Sequence, residues 1–251
     1  TPRELGFRMP AEWEPHRATW LAWPHNPETW PGRLRPIPRI WVQMIKDLHL
    51  YEKVHLCVND EKMKAEVETR LEQADIGRNV SLHTIPTNDC WTRDHGPIFV
   101  VREVGGRRQV AAVKFGYNAW GGKYPPWDLD DAVPTQAAET LGLPLFDAGM
   151  VLEGGSIDTN GRGTLLTTEQ CLLNPNRNPS LSKKEIEEVL REFLGVSNIL
   201  WLGEGIAGDD TDGHVDDIAR FVGPRTVVAP VEEDPADPNY QPLQENLKRL
   251  K

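Results

Sequence analysis

The stretch from Ser182 to Gly203 reads SKKEIEEVLREFLGVSNILWLG. Ser182 can cap a helix, and Glu185, three residues on, completes a capping box. Gly195 can close the helix in the left-handed conformation. SNILWLG (197–203) then changes to the pattern of a strand. Helix followed closely by strand is the signature of an α/β chain, and the same alternation continues outward in both directions. VHLCV (54–58) is a compact apolar run, hence a buried strand. EKMKAEVETRLEQA (61–74) sets Met63, Val67 and Leu71 at helical spacing. NVSLHTIPT (79–87), QVAAVKF (109–115) and RTVVAPV (225–231) read as further strands. No strict sequence repeat, low-complexity tract or linker breaks the chain, so residues 1–251 are expected to form a single domain of small repeated units. Leu243, Leu247 and Leu250 predict a final amphipathic helix. It reaches Lys251 with no capping residue, and we expect the natural chain to continue.

Bulk composition removes several function classes. With 28 Lys+Arg against 38 Asp+Glu, the formal charge is −10. An acidic chain lacks the basic face of a nucleic-acid binder and favours a cationic ligand. Cys57, Cys90 and Cys171 are odd in number and have no close pair, which speaks for a reducing, cytoplasmic setting rather than a disulfide framework. No stretch has the apolar length of a membrane span. Five of the nine tryptophans (Trp13, Trp20, Trp23, Trp30, Trp41) fall in the first fifth of the chain; most are expected to serve packing, although a ring face can also hold a cation.

Five stretches concentrate chemistry. GDDTDGHVDDIARF (208–221) sets five carboxylates, Asp209, Asp210, Asp212, Asp216 and Asp217, around the imidazole of His214. On a strand, the His214-x-Asp216 spacing would point both side chains to one face. That pair suits metal ligation, general acid–base work, or orientation of one group by the other. NDCWTRDHGP (88–97) follows an apolar strand and groups Trp91, Arg93, Asp94 and His95. FGYNAWGGKYPPWD (115–128) predicts a long irregular loop of the kind that covers sites. In MVLEGGSIDTNGRGTLLTT (150–168) a strand delivers Glu153 to two glycines that permit close backbone approach. CLLNPNRNP (171–179) reads as an asparagine-rich turn. The histidines form no HExxH and the cysteines no CxxC, and EF-hand, P-loop, dinucleotide-fingerprint and GxSxG patterns are absent, so a metal site has little support. A guanidinium is the cation that fits paired carboxylates best, because it is planar, always charged and rich in donors.

The motifs MPAEWEPHRATWLAWPHNPETWPG, WTRDHGP, FGYNAWGGKY, EGGSID, CLLNPNRNP and DDTDGHVDDIARF, in this order from Met9 onward, resemble the agmatine deiminase family, bacterial-type relatives of peptidylarginine deiminase in the guanidine-modifying superfamily. The resemblance implies a pentein-type α/β propeller around a central site, and hydrolytic deimination of agmatine to N-carbamoylputrescine and ammonia in polyamine biosynthesis. It implies no metal or organic cofactor, and a homo-oligomer. It also suggests roles at matching positions. Asp94 and Asp216 would grip the guanidinium. His214 would act as general acid and then base. Glu153 would fix the imidazole or the substrate. Asp210 would hold the distal amine, and Trp91 would line the pocket. The family's nucleophilic cysteine lies in a C-terminal motif that these residues do not contain. The domain is therefore expected to be C-terminally incomplete, with Cys90 the nearest stand-in.

Three other readings remain open from sequence. A deiminase of free or peptidyl arginine would need a cation for the substrate's carboxylate, for which Arg93 and Lys123 are available. A non-catalytic guanidine- or polyamine-binding fragment would follow if no nucleophile exists. A metal-dependent hydrolase would use His214 with Asp216, and would lose activity on chelation.

Overall fold

The computed structural model describes all 251 residues, in four small sheets and the helices between them. The first unit is wholly parallel: β1 (Ala18–Ala22), α1 (Ile37–Leu48), β2 (Lys53–Val58), α2 (Glu61–Gln73) and β3 (Val80–Thr84), with Leu21 opposite Leu56 and Leu56 opposite Leu82. The short helix α3 (Thr92–His95) leads into the second unit. There β4 (Ile98–Val104) and β5 (Arg107–Gly116) pair antiparallel, α4 (Ala119–Gly122) and α5 (Asp128–Leu141) cross over, and β6 (Leu145–Val151) joins β5 in parallel. The third unit repeats that plan: β7 (Asp158–Thr159) antiparallel to β8 (Thr164–Thr168), then α6 (Glu169–Leu172) and α7 (Lys183–Leu194), then β9 (Asn198–Leu202) parallel to β8. Finally β10 (Arg220–Gly223) pairs antiparallel with β11 (Thr226–Val228), followed by α8 (Tyr240–Leu250). The expected repeated α/β units are therefore present in the backbone although no sequence repeat announces them.

Side-chain alternation along the strands assigns each face to a core. In β8, Leu165 points into the cluster built by Val113, Phe115, Leu190 and Leu194, while its neighbour Leu166 points into the one formed with Leu202, Val215, Phe221 and Leu243. The first unit closes its own cluster around Trp41, Ile45, Leu56 and Val67. α7 has the predicted ends: the Ser182 hydroxyl accepts from the Glu185 N–H, the Glu185 carboxylate accepts in return, and Gly195 closes the helix at φ 64°. Several elements exceed the sequence expectation, among them β1, α1, β4 and α5. α1 carries a proline in its first turn, where the missing N–H costs no hydrogen bond. α5 accommodates Pro134 in its interior.

One sequence expectation is corrected here. His214 and Asp216 do not lie on a strand. Asp212 and Gly213 take positive φ angles of 66° and 84°, and Val215–Asp217 forms a 3-10 turn. The two side chains nevertheless converge, because the turn rather than a pleat brings them together.

Removing the α7 cap tests this local account. Ser182→Ala deletes the acceptor for the Glu185 N–H and should lower unfolding stability by about 1 kcal/mol, read from urea or thermal denaturation. Glu185→Gln, which keeps a capping side chain, should cost less.

Candidate active site

Three segments meet around one imidazole. α3 supplies Asp94, the end of β6 supplies Glu153, and the turn before β10 supplies His214 and Asp216. His214 Nδ1 lies 3.7 Å from Asp94 Oδ1 and 3.9 Å from Asp216 Oδ1, while its Nε2 lies 3.9 Å from Glu153 Oε2. All are charge contacts longer than a hydrogen bond, and the buried Nε2 has no hydrogen-bond partner. His214 is 2 % exposed and Glu153 fully buried.

The backbone fixes these positions. Asp94 Oδ1 accepts the Gly155 N–H at 3.0 Å, and Oδ2 accepts the Trp120 indole N–H at 3.2 Å. Trp120 reaches in because Ala119 and Trp120 adopt φ of 50° and 56°, a conformation that non-glycine residues keep only where the surroundings enforce it. Gly154 and Gly155 have no room for side chains. A Cβ on Gly154 would sit 2.0 Å from the Arg93 carbonyl oxygen. One on Gly155 would lie 2.5 Å from His214 Nδ1, 2.7 Å from Asp94 Oδ1 and 3.0 Å from Asp216 Oδ2, where the three functional groups converge.

Behind Glu153 stands Arg177, whose side chain is wholly buried. Its Nε donates to Glu153 Oε1 at 2.8 Å, Nη1 to Asp212 Oδ2 at 2.6 Å and to Asn176 Oδ1 at 2.8 Å, and Nη2 to the Thr211 carbonyl at 2.7 Å. The 171–179 stretch is thus the expected turn, and it is also part of the site. Cys171 is a second revision. Its Sγ lies 3.9 Å from Glu153 Oε2, so Cys171, and not Cys90, is the cysteine at the centre.

Burial and charge compete at each group. Burial pushes the Asp94 carboxyl up to about 6, against the pull of His214 and the Gly155 N–H. Burial would also raise Glu153, but His214 and Arg177 outweigh it and hold this carboxyl below the usual range. Burial opposes charge on His214, yet contacts with Cys171, Glu153 and Asp94 raise it well above an ordinary imidazole. Burial keeps Cys171 as a thiol, so the carboxylates are what hold the His214 proton. Glu153, Cys171 and His214 place donor atoms within 4.8 Å of one another. Such a set could ligate a soft divalent ion, but the Arg177 guanidinium and the imidazolium already supply the positive charge that these acids need.

The other expected residues stand further out. Asp210 is exposed and accepts the Tyr124 hydroxyl at 2.7 Å. Asp212 is taken by Lys123 Nζ at 2.7 Å as well as by Arg177. Asp209 shapes its own loop, accepting the N–H groups of Thr211 and Gly213. Trp91 is partly exposed, donates its indole N–H to Asp89 and rests against Trp30. His95 is buried beside Asp130, 3.8 Å away, and not at the centre.

Residues 8–251 match the sequence model of the Porphyromonas-type peptidyl-arginine deiminase family. The chain belongs to that family. A relative from Ectopseudomonas mendocina named agmatine deiminase is 43 % identical over 255 residues, covering all of this chain and 67 % of its own. One of the same name from Pseudomonas aeruginosa is 42 % identical with the same coverage. Among solved deiminase structures, agmatine deiminase of Enterococcus faecalis superposes with a TM-score of 0.89 at 36 % identity, over 99 % of this chain and 67 % of that one. A C. jejuni agmatine deiminase with substrate bound gives 0.84 at 34 % identity, over 97 % and 70 %. These likenesses carry the α/β fold of the deiminase family across the whole chain.

Gly155 is where site and backbone are inseparable. Gly155→Ala should lower the unfolding stability by about 1–3 kcal/mol and reduce guanidine binding at least about tenfold, since its methyl displaces Asp94, Asp216 and His214 from their common space. Calorimetric titration beside a thermal melt checks both halves.

Proposed function

We propose that this chain carries the substrate-binding and acid–base residues for hydrolytic deimination of agmatine, giving N-carbamoylputrescine and ammonia. The observation that carries the substrate class is the commitment of Arg93 and Lys123, the two cations on the rim that a substrate carboxylate could use. Arg93 is bound to Glu12 and lies 3.4 Å from Asp216. Lys123 is bound to Asp212 and to the Asp210 carbonyl. Neither is free to take an α-carboxylate, whereas Asp210 offers an exposed carboxylate to a distal amine. A decarboxylated guanidine suits this rim and free arginine does not.

In this reading Asp94 and Asp216 flank the guanidinium and hold its carbon in line for attack. Charges so placed interact by roughly 4 kcal/mol at an effective dielectric of 20. A thiolate adds to that carbon, the C–N bond to the leaving group breaks, and His214 gives its proton to the departing ammonia. Water then adds to the amidino-thioester carbon while His214 takes its proton, and the C–S bond breaks to release the ureido product. Glu153 keeps the imidazole oriented and charged. Trp91 lines the approach for the aliphatic linker. The thiolate is not one of the three cysteines here. Burial holds Cys57, Cys90 and Cys171 protonated, so the reading assigns it to a cysteine outside residues 1–251.

With this reading go one catalytic domain with its units arranged around the site, a cytoplasmic setting, a role in polyamine synthesis and a homo-oligomeric assembly. No helix is long and apolar enough to cross a membrane.

The test is ureido-product formation by the full natural chain. Agmatine should be turned over, and arginine at least about a hundredfold less well in kcat/KM, because its carboxylate would lie unpaired among acids. His214→Ala should lower kcat by about 10²–10⁴ while agmatine still binds. Asp94→Ala should weaken binding and turnover together. Near-normal product from His214→Ala would overturn the assignment.

A further inference from the structure

The acid–base reading leaves Arg177 without a stated part, yet no other cation is so deeply enclosed. Its guanidinium has a donor on Glu153 and others on Asp212 and the Thr211 carbonyl. It therefore bridges the catalytic centre and the loop that carries Asp210. The groups facing His214 are Asp94 from α3, Glu153 from the end of β6, Cys171 from α6, and Asp216, Asp217 and Asp209 from its own segment. Those facing Glu153 are Arg177, His214 and Cys171, with Asp94 and the Tyr117 phenol further out. Arg177 is the one permanent cation among them.

We propose that Arg177 is the positioning residue of the reaction: it keeps Glu153 ionised so that Glu153 holds the proton on His214, and it ties this centre to the Asp210 loop through Asp212 and Thr211. The proposal rests on the reading of His214 as acid and base.

The physical reasoning runs along one line of charge. A fully buried carboxylate is protonated unless a cation or several donors stabilise it. Cys171 is a neutral thiol and supplies little. Without Arg177, Glu153 would gain a proton, and the imidazole would lose the anion facing its Nε2. The fork geometry matters separately. Arginine reaches Glu153 and the loop at once, whereas lysine places a single charge and cannot span both. Lys123 adds the outer link, since its ammonium joins Asp212 and the Asp210 carbonyl, and Tyr124 holds the Asp210 side chain.

Two variants separate charge from tether. In the full chain with 15N-labelled histidine, Arg177→Gln should move the His214 imidazole titration down by roughly one to three pH units. The basic limb of kcat against pH should move the same way. Arg177→Lys should restore most of that titration, because a cation again faces Glu153. It should still raise KM for agmatine about tenfold or more, because the loop is no longer held. A residue with only a structural part would lower kcat equally at every pH in both variants and leave the imidazole titration unmoved, and that result overturns the proposal. If Arg177→Gln does not fold, the wild-type spectrum remains decisive: a neutral His214 imidazole at about pH 8 overturns it. The imidazole signal does not depend on the substrate. A shifted titration without agmatine turnover would overturn the substrate reading alone, and turnover with an unmoved titration would overturn this proposal alone.

Discussion

A carboxylate and a guanidinium, both stripped of water, face each other at the centre of this protein. The Glu153–Arg177 pair is enclosed on all sides, and neither charge would be tolerable there alone. Removing one partner of such a pair typically costs about 3–5 kcal/mol, because the other is left buried and uncompensated. The arrangement is favourable when the remaining donors are largely used, and Arg177 places three of the other four on Asp212, Asn176 and the Thr211 carbonyl. A pair this demanding fixes three segments relative to one another: the end of β6, the turn after α6, and the loop before β10. His214 is at the end of that last loop.

From this anchor the rest of the site follows by short steps. Glu153 sits where β6 gives way to a 3-10 turn, and two glycines let the α3 backbone come close enough for Asp94 to accept the Gly155 N–H. Asp94 in turn requires Trp120, which explains why two non-glycine residues sit at positive φ. The site is made at the junctions between small sheets, so no single unit contains it. Each unit contributes one loop, and the second and third units share the core beneath theirs.

The fold was legible where local signals agree. α7 has a cap, a capping box and a terminal glycine, and its observed ends coincide with them. α1 is less legible because prolines precede and enter its first turn, and α5 because Pro134 interrupts its pattern. Asp94, Glu153, His214 and Asp216 could be found because polar groups cluster in loops after apolar strands. Their grouping was readable even though the strand geometry for His214 and Asp216 was not, since a spacing of two also arises from a tight turn. Arg177 shows the limit. Its neighbours Asn176, Asn178 and Pro179 signal a turn, and a turn is there. Nothing nearby says that its side chain runs inward to a glutamate 24 residues earlier. Only the tertiary partner reveals it.

The commitment of Arg93 and Lys123 bears on how such a site can diverge. Each cation neutralises an acid on another segment, so neither can be recruited to a carboxylate-bearing guanidine without stranding its present partner. A single substitution that freed Lys123 would leave Asp212 with Arg177 and the Asn176 amide, and one that freed Arg93 would loosen Asp216. On the proposed reading, acceptance of arginine would therefore need coordinated changes at two or more positions. On that reading the linked charges make a change of substrate costly, because each altered cation leaves an acid on another segment without its partner.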